Sequence, residues 1–301
     1  MADWKLAANT FIWHSPLDDK ILEARLPILA EWGFDAVELP LENPGDWDPR
    51  HVREILRETG LTAVVGAVFA PGRELTGADE SVQQSTAAYV RAAIDAAEAQ
   101  GSTMVIGPAY TSVGRTWRVT ADQRRELLHT LRENYVELAA YAGDRGVRLA
   151  LEPLNRYETS LFNTTAQLLE FIEPLDPAVV GLNLDTYHMN IEERSFSEPL
   201  KSAGNRLFHL QVCGNDRGAP GGDLTRWDDV FDALVEIDYS GLLGIESFTA
   251  DNASIATAAS IWRALAATQD DLAVHGLRFL QEQRARLMGS GDGAPDARAR
   301  G

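Results

Sequence analysis

Arg148-Leu149-Ala150-Leu151-Glu152 and Val180-Gly181-Leu182-Asn183-Leu184-Asp185 decide how the rest of the chain is read. Each is a short apolar run that ends in an acid, and each is followed by a longer stretch with helical spacing. A short apolar run of this kind fits a strand buried on both faces, as in a parallel sheet. The helical stretch after it is the crossover that a parallel neighbour requires.

Working outward, the same unit recurs on both sides. Strands are expected at Leu6–Trp13, Ala36–Pro40, Thr62–Val68 and Thr103–Gly107 before the quoted runs. Two more follow at Leu207–Val212 and Gly241–Glu246, with a helical stretch from Asn252 towards Arg286. Eight such units in roughly 250 residues or more predict a closed (β/α)8 TIM barrel of the α/β class, one domain over residues 1–288. The competing reading is an open doubly wound sheet, but no GxGxxG follows the first strand. Residues 289–301 mix Gly, Ala, Asp and Arg without period and are expected to be a flexible C-terminal tail.

The 301 residues carry a formal net charge of -18, a field that repels phosphate backbones and anionic lipid surfaces. No nucleic acid and no membrane partner is therefore expected, and an uncharged ligand is favoured because no Arg or Lys cluster stands beside the acids. No apolar run approaches the roughly 20 residues of a membrane span. Cys213 is the single cysteine, so no intrachain disulfide can form, and Met1–Leu6 lack a basic segment leading into an apolar one. The expected location is cytoplasmic.

In a barrel of this kind the site lies at the C-terminal ends of the strands. Glu152 ends the fifth strand, Asp185 the sixth, Glu246 the eighth, and Gln211 stands near the end of the seventh. Taken singly, any of the acids could merely cap the next helix or pair with a loop Arg. Three carboxylates at one rim would repel one another unless a cation neutralised them, and oxygen donors select a hard ion. Mn2+ or Mg2+ is expected, with Co2+ possible, at the rim where Glu152, Asp185, Gln211 and Glu246 stand.

Three further stretches carry a resemblance: Glu152-Pro153-Leu154-Asn155-Arg156-Tyr157-Glu158, Leu184-Asp185-Thr186-Tyr187-His188-Met189-Asn190-Ile191-Glu192-Glu193 and Asn215-Asp216-Arg217-Gly218-Ala219-Pro220-Gly221. Together they resemble the D-tagatose 3-epimerase and D-psicose (D-allulose) 3-epimerase family of the xylose isomerase-like TIM barrels, the sugar phosphate isomerase/epimerase group. The middle motif is the most specific. The likeness extends from Asn9-Thr10-Phe11-Ile12-Trp13 through Pro71-Gly72-Arg73 and Gly107-Pro108 to Ile245-Glu246-Ser247-Phe248.

The resemblance implies that Glu152, Asp185 and Glu246 are metal ligands, with Glu152 and Glu246 the catalytic acid and base. It implies that Glu158, His188 and Arg217 contact the oxygens of a small sugar substrate, and that the chain forms a homo-oligomer, dimer or tetramer. Epimerising a free ketose at C3 needs a proton taken from one face and returned to the other, through an enediolate that a metal stabilises. One position departs from the family: His209-Leu210-Gln211 stands where those epimerases carry His-x-His. An amide oxygen still suits Mg2+ or Mn2+, and related hydroxypyruvate isomerases carry a Gln at a similar place. An aldose-ketose or hydroxypyruvate-type isomerase, or a metal-dependent lyase or C-glycoside-cleaving enzyme, therefore stays open beside the epimerase. His209 is expected to be structural, and Trp13, Trp117 and Phe248 are weaker candidates for apolar walls around a sugar.

Overall fold

The computed structural model describes residues 4–77 and 79–289. Apart from Gly289, the expected tail lies outside the described residues. The eight strands are β1 Lys5–Asn9, β2 Ala36–Leu41, β3 Thr62–Ala67, β4 Met104–Gly107, β5 Arg148–Leu151, β6 Val180–Asp185, β7 Leu207–Val212 and β8 Leu242–Ile245. Each pairs in parallel with the next, and β8 pairs with β1, so the sheet closes as a barrel.

The helices are α1 Asp19–Trp32, α2 Pro49–Thr59, α3 Glu80–Gln100, α4 Ala121–Gly143, α5 Thr165–Ile172, α6 Thr186–Glu192, α7 Ser197–Ala203, α8 Trp227–Glu236, α9 Ala253–Ala258 and α10 Gln269–Gly289. Their starts are written locally. Asp18, Asp48 and Asp79 accept backbone N–H groups of the first turn, and Thr120 and Thr164 each form a reciprocal capping box with the glutamine three residues on. The core faces follow helical spacing: Leu22, Leu26 and Leu29 of α1 are fully buried, each burial worth about 1.5–3 kcal/mol. None of the described helices is long and apolar enough to cross a membrane.

Several strand ends shift by one residue from the sequence reading, and two boundaries differ by more. The first strand stops at Asn9, because the Asn9 side chain accepts the N–H of Phe11 and turns Thr10–Ile12 into a 3-10 helix. The helix expected from Asn252 ends at Ala258, where Ala259 closes it and Ser260 follows at φ 57°. The chain resumes helical geometry only at Gln269.

Candidate active site

Side chains alternate along a strand, so inward positions recur every second residue. On β5 these are Arg148, Ala150 and then Glu152. On β8 they are Leu242, Gly244 and then Glu246. Ala150, Leu242, Val64, Met104, Ile106 and Phe208 pack as one apolar layer, with the Arg148 guanidinium 4.8 Å from the Phe208 ring. The polar groups stand next along the strands, towards their C-terminal ends. On β7 one residue is extra: Leu182 pairs with Leu207, whereas Asn183 pairs with His209. The bulge at Phe208 resets the alternation, and His209 and Gln211 thereby face Glu38 inside the barrel.

Glu152, Asp185 and Glu246 are all buried, with Asp185 fully enclosed. Their one close cation is Arg217, whose Nη1 donates to Asp185 Oδ2 and, at 2.7 Å, to Glu246 Oε2. Burial pushes the Glu152 carboxyl well above the usual carboxylate range, and the neighbouring Glu246 and Asp185 add to the shift. Glu246 is pushed up to about 8, by burial first, with Arg217 pulling the other way and Asp185 raising it further. Burial opposes the charge on Arg217, but Asp185 and Glu246 outweigh it and hold the guanidinium protonated. Asp185 also does what a strand-end acid does in the simplest case: its Oδ1 caps α6 through the N–H of Tyr187. Capping and a place in the cluster coexist because the two oxygens face different partners.

His188, on α6, accepts the Asn155 backbone N–H on Nδ1 at 3.0 Å, and its Nε2 lies 3.2 Å from the donor Arg217 Nη2. That Nε2 lies 3.4 Å from Glu152 Oε1 and 3.8 Å from Asp185 Oδ2. Burial lowers the imidazole to about 3, so His188 is neutral in the cluster. Asn155 reaches the other way too, donating to Glu158 Oε1 at 2.7 Å, so one residue anchors both His188 and Glu158. Arg217 enters from the loop after β7, at φ 68°, a left-handed conformation uncommon for a non-glycine residue. Its guanidinium carbon sits 4.0 Å from the Tyr187 ring and 5.2 Å from Phe248, so two aromatic faces hold it over the carboxylates.

Glu152, Asp185, His188, Arg217 and Glu246 meet in this cluster, Gln211 joins it by donating to Glu246, and Glu158 stands behind Asn155. Phe248 lines the cluster. Trp13 is turned elsewhere, its indole N–H bonded to Asp270 of α10 at 2.7 Å and its ring beneath Arg25 of α1. Trp117 lies under Arg115, whose guanidinium is paired with Glu74. The sequence reading missed the floor. Glu38 of β2 is fully buried and accepts from His209 Nε2 at 2.7 Å, Asn9 Nδ2 at 2.8 Å and Gln211 Nε2 at 2.8 Å. Its one sequence signal is a lone carboxylate inside the apolar strand Ala36-Val37-Glu38-Leu39-Pro40-Leu41, which folding tolerates only with partners.

The donor set fits a hard divalent cation. One ligand atom each from Glu152, Asp185 and His188 lies within 4.8 Å of the others. Glu152 Oε1 is a buried carboxylate oxygen with no hydrogen-bond partner, and the other two carboxylates, Asp185 and Glu246, share one guanidinium. Buried negative charge in such excess calls for a cation. Gln211 is already engaged: Oε1 accepts from Asn183 Nδ2 at 2.7 Å, and Nε2 points to Glu38 and Glu246.

A closed parallel barrel with buried acids and an arginine gathered at the C-terminal ends of β5 to β8 defines a class of enzyme that does its chemistry at that rim. The xylose isomerase-like TIM barrel profile matches residues 26–283, and the chain belongs to that family. It is 31% identical over 281 residues to a probable ketose 3-epimerase of Synechocystis sp., covering 92% of this chain and 96% of that one. It is 30% identical over 257 residues to an L-ribulose 3-epimerase of Methylomonas sp., covering 84% and 88%. Among solved structures, a D-allulose 3-epimerase from Methylomonas sp. in complex with D-allulose superposes with a TM-score of 0.85 at 27% identity, over 94% of this chain and 98% of that one. Within the family, the chain is thus an enzyme of the epimerase kind.

Proposed function

We propose that this chain epimerises a free ketose at C3, with a divalent metal, Mn2+ or Mg2+, held by Glu152, Asp185 and Glu246. One observation carries the reading: two buried glutamates, three strands apart round the barrel from β5 to β8, flank the same enclosed Asp185, Glu152 with a ligand atom within 4.8 Å of it and Glu246 sharing Arg217 Nη1 with it. Two carboxylates set apart in this way can take a proton from one face of a carbon and return one to the other. When bound, the metal polarises the substrate carbonyl and its neighbouring hydroxyl, which acidifies the carbon between the glutamates.

The chain's own groups do the rest. Glu246 and Glu152 accept and deliver the proton, and burial favours the protonated form that a proton-carrying carboxyl must reach in each cycle. His188 and Arg217 are hydrogen-bonding groups for sugar oxygens, and Glu158 is an acceptor for a hydroxyl. Arg217 is committed to Asp185 and Glu246, which supports an uncharged sugar over a phosphorylated one. We take the chain to act in the cytoplasm as a homo-oligomer, with Tyr157, Leu224 and Trp262, exposed at 75%, 83% and 74% in the loops after β5, β7 and β8, as candidate contact residues.

The test is a panel of C4 to C6 ketoses with added Mn2+, resolved by chromatography. The expected product is an epimer of unchanged mass. A product that is split or dehydrated would instead assign the site to a lyase, and no conversion of any ketose would contradict the reading.

A further inference from the structure

Beneath Glu246 lies a layer whose hydrogen bonds point in one direction only. Asn9 and Gln211 each donate to Glu38 Oε2 and also to Glu246 Oε1, Gln211 at 2.8 Å to both and Asn9 at 2.8 and 3.3 Å. Neither amide is free to turn round. The oxygen of Asn9 is taken by the N–H of Phe11, and the oxygen of Gln211 by Asn183 Nδ2. Glu38 is itself fixed on the far side by His209 Nε2 at 2.7 Å. Gly244 completes the frame: a Cβ there would fall 1.5 Å from Glu38 Oε1, so only glycine leaves the carboxylate its place.

We infer that Glu38 is a positioning residue for the proton transfer: through the two amide bridges it fixes the direction of the Glu246 carboxylate, and it fixes Gln211 as a hydrogen-bond donor to that carboxylate. The physical reason is acceptor demand. Two carboxylates on either side of an amide both require its N–H edge, and turning Gln211 over would set its oxygen 2.8 Å from two carboxylate oxygens. If Glu38 is replaced by an amide, that demand disappears on one side, and both Gln211 and Glu246 gain alternative orientations. A catalytic carboxylate misaimed by a fraction of an ångström loses rate while substrate contacts elsewhere remain. The inference rests on Glu246 being the proton-transferring group proposed above.

The test compares the Mn2+-loaded wild type with Glu38→Gln, by kinetics on whichever ketose the panel identifies and by crystallography. The expected result is a folded variant with kcat lower by about tenfold or more and KM within about twofold. In the crystal the Glu246 carboxylate turns away from its wild-type direction. Adding Glu38→Gln to Gln211→Met is expected to cost only about twofold more, since one bridge is already cut. A wild-type kcat in folded Glu38→Gln overturns the inference, and so does a KM that rises in step with the loss of kcat. If Glu38→Gln does not fold, Gln211→Met alone must lower kcat at constant KM, and an unchanged kcat overturns it. If the wild type turns over no ketose, the proposed function fails, and the two crystal structures still decide: an unmoved Glu246 carboxylate in Glu38→Gln overturns the positioning role.

Discussion

Strands β1 to β4 and strands β5 to β8 make equal shares of the barrel wall and unequal shares of the site. The second half contributes Glu152, Asp185, Gln211 and Glu246 from its strand ends and His188, Glu158 and Arg217 from the segments that follow. The first half contributes Asn9 and Glu38, both below the reacting groups. The second half carries the reacting groups, and the first half supplies the carboxylate floor that acts on them together with His209 and Gln211. The division has a physical basis, since acids gathered on one side create the field that draws a cation, and an anchored floor opposite keeps that field from collapsing onto internal partners.

The largest expected effect breaks the comparison at its charged side. Glu246→Gln and Glu152→Gln should each lower turnover by about 10^3-fold, the middle of the range for losing a positioned proton carrier, with little change in melting temperature. Steady-state rates beside thermal melts check this. Near-full activity in either variant would remove the two-carboxylate mechanism.

On the other half a large substitution should act on stability and leave chemistry alone. Phe69, after β3, is buried at 1% exposure and meets the Tyr89 ring edge-on at 6.0 Å. Phe69→Ala is expected to cost about 3–5 kcal/mol of unfolding free energy in denaturant titrations. The folded fraction should keep its kcat.

A metal titration sharpens the contrast through pH. In the metal-free protein Glu246 is raised from its ordinary 4.5 to about 8, by burial first, against Arg217, with Asp185 adding to it. A carboxyl raised in the fold stabilises most below its unfolded value, and that contribution is lost as pH rises through about 8. A divalent cation binds the ionised form, so the gain in melting temperature on adding Mn2+ should grow from pH 6 to pH 8.5. A gain that is flat or shrinks over that range would show that these carboxyls do not hold the ion.

The smallest effect lies on the outer shell. Thr120 caps α4 in a reciprocal box with Gln123, and Thr120→Ala should cost about 1 kcal/mol of stability and nothing in kcat.

The same two halves differ in how far they could be read from sequence. Glu152, Asp185 and Glu246 were legible because each ends an apolar strand, whereas Glu158, His188 and Arg217 sit in the segments that follow and were placed through the family resemblance. β6 and β7 were read to the residue, Val180–Asp185 and Leu207–Val212. The floor was not legible. Glu38 and His209 are 171 residues apart, and neither has a local pattern that predicts the other. The bulge at Phe208, which turns His209 and Gln211 inward, follows from packing around Gly181, where a Cβ would strike the Phe208 ring at 2.6 Å. The overrun of β1 to Trp13 has a local cause, since Thr10-Phe11-Ile12 continues the β-favouring run while the Asn9 cap bends it.

The central claim is that Glu152 and Glu246 exchange a proton at one carbon of a ketose from two sides. Running the Mn2+-loaded enzyme in D2O and locating the label by NMR tests it most directly. The account predicts an epimer with one deuterium at C3 and starting ketose that stays unlabelled in early turnover. An epimer formed without deuterium at C3, or labelled at C1 instead, would contradict it.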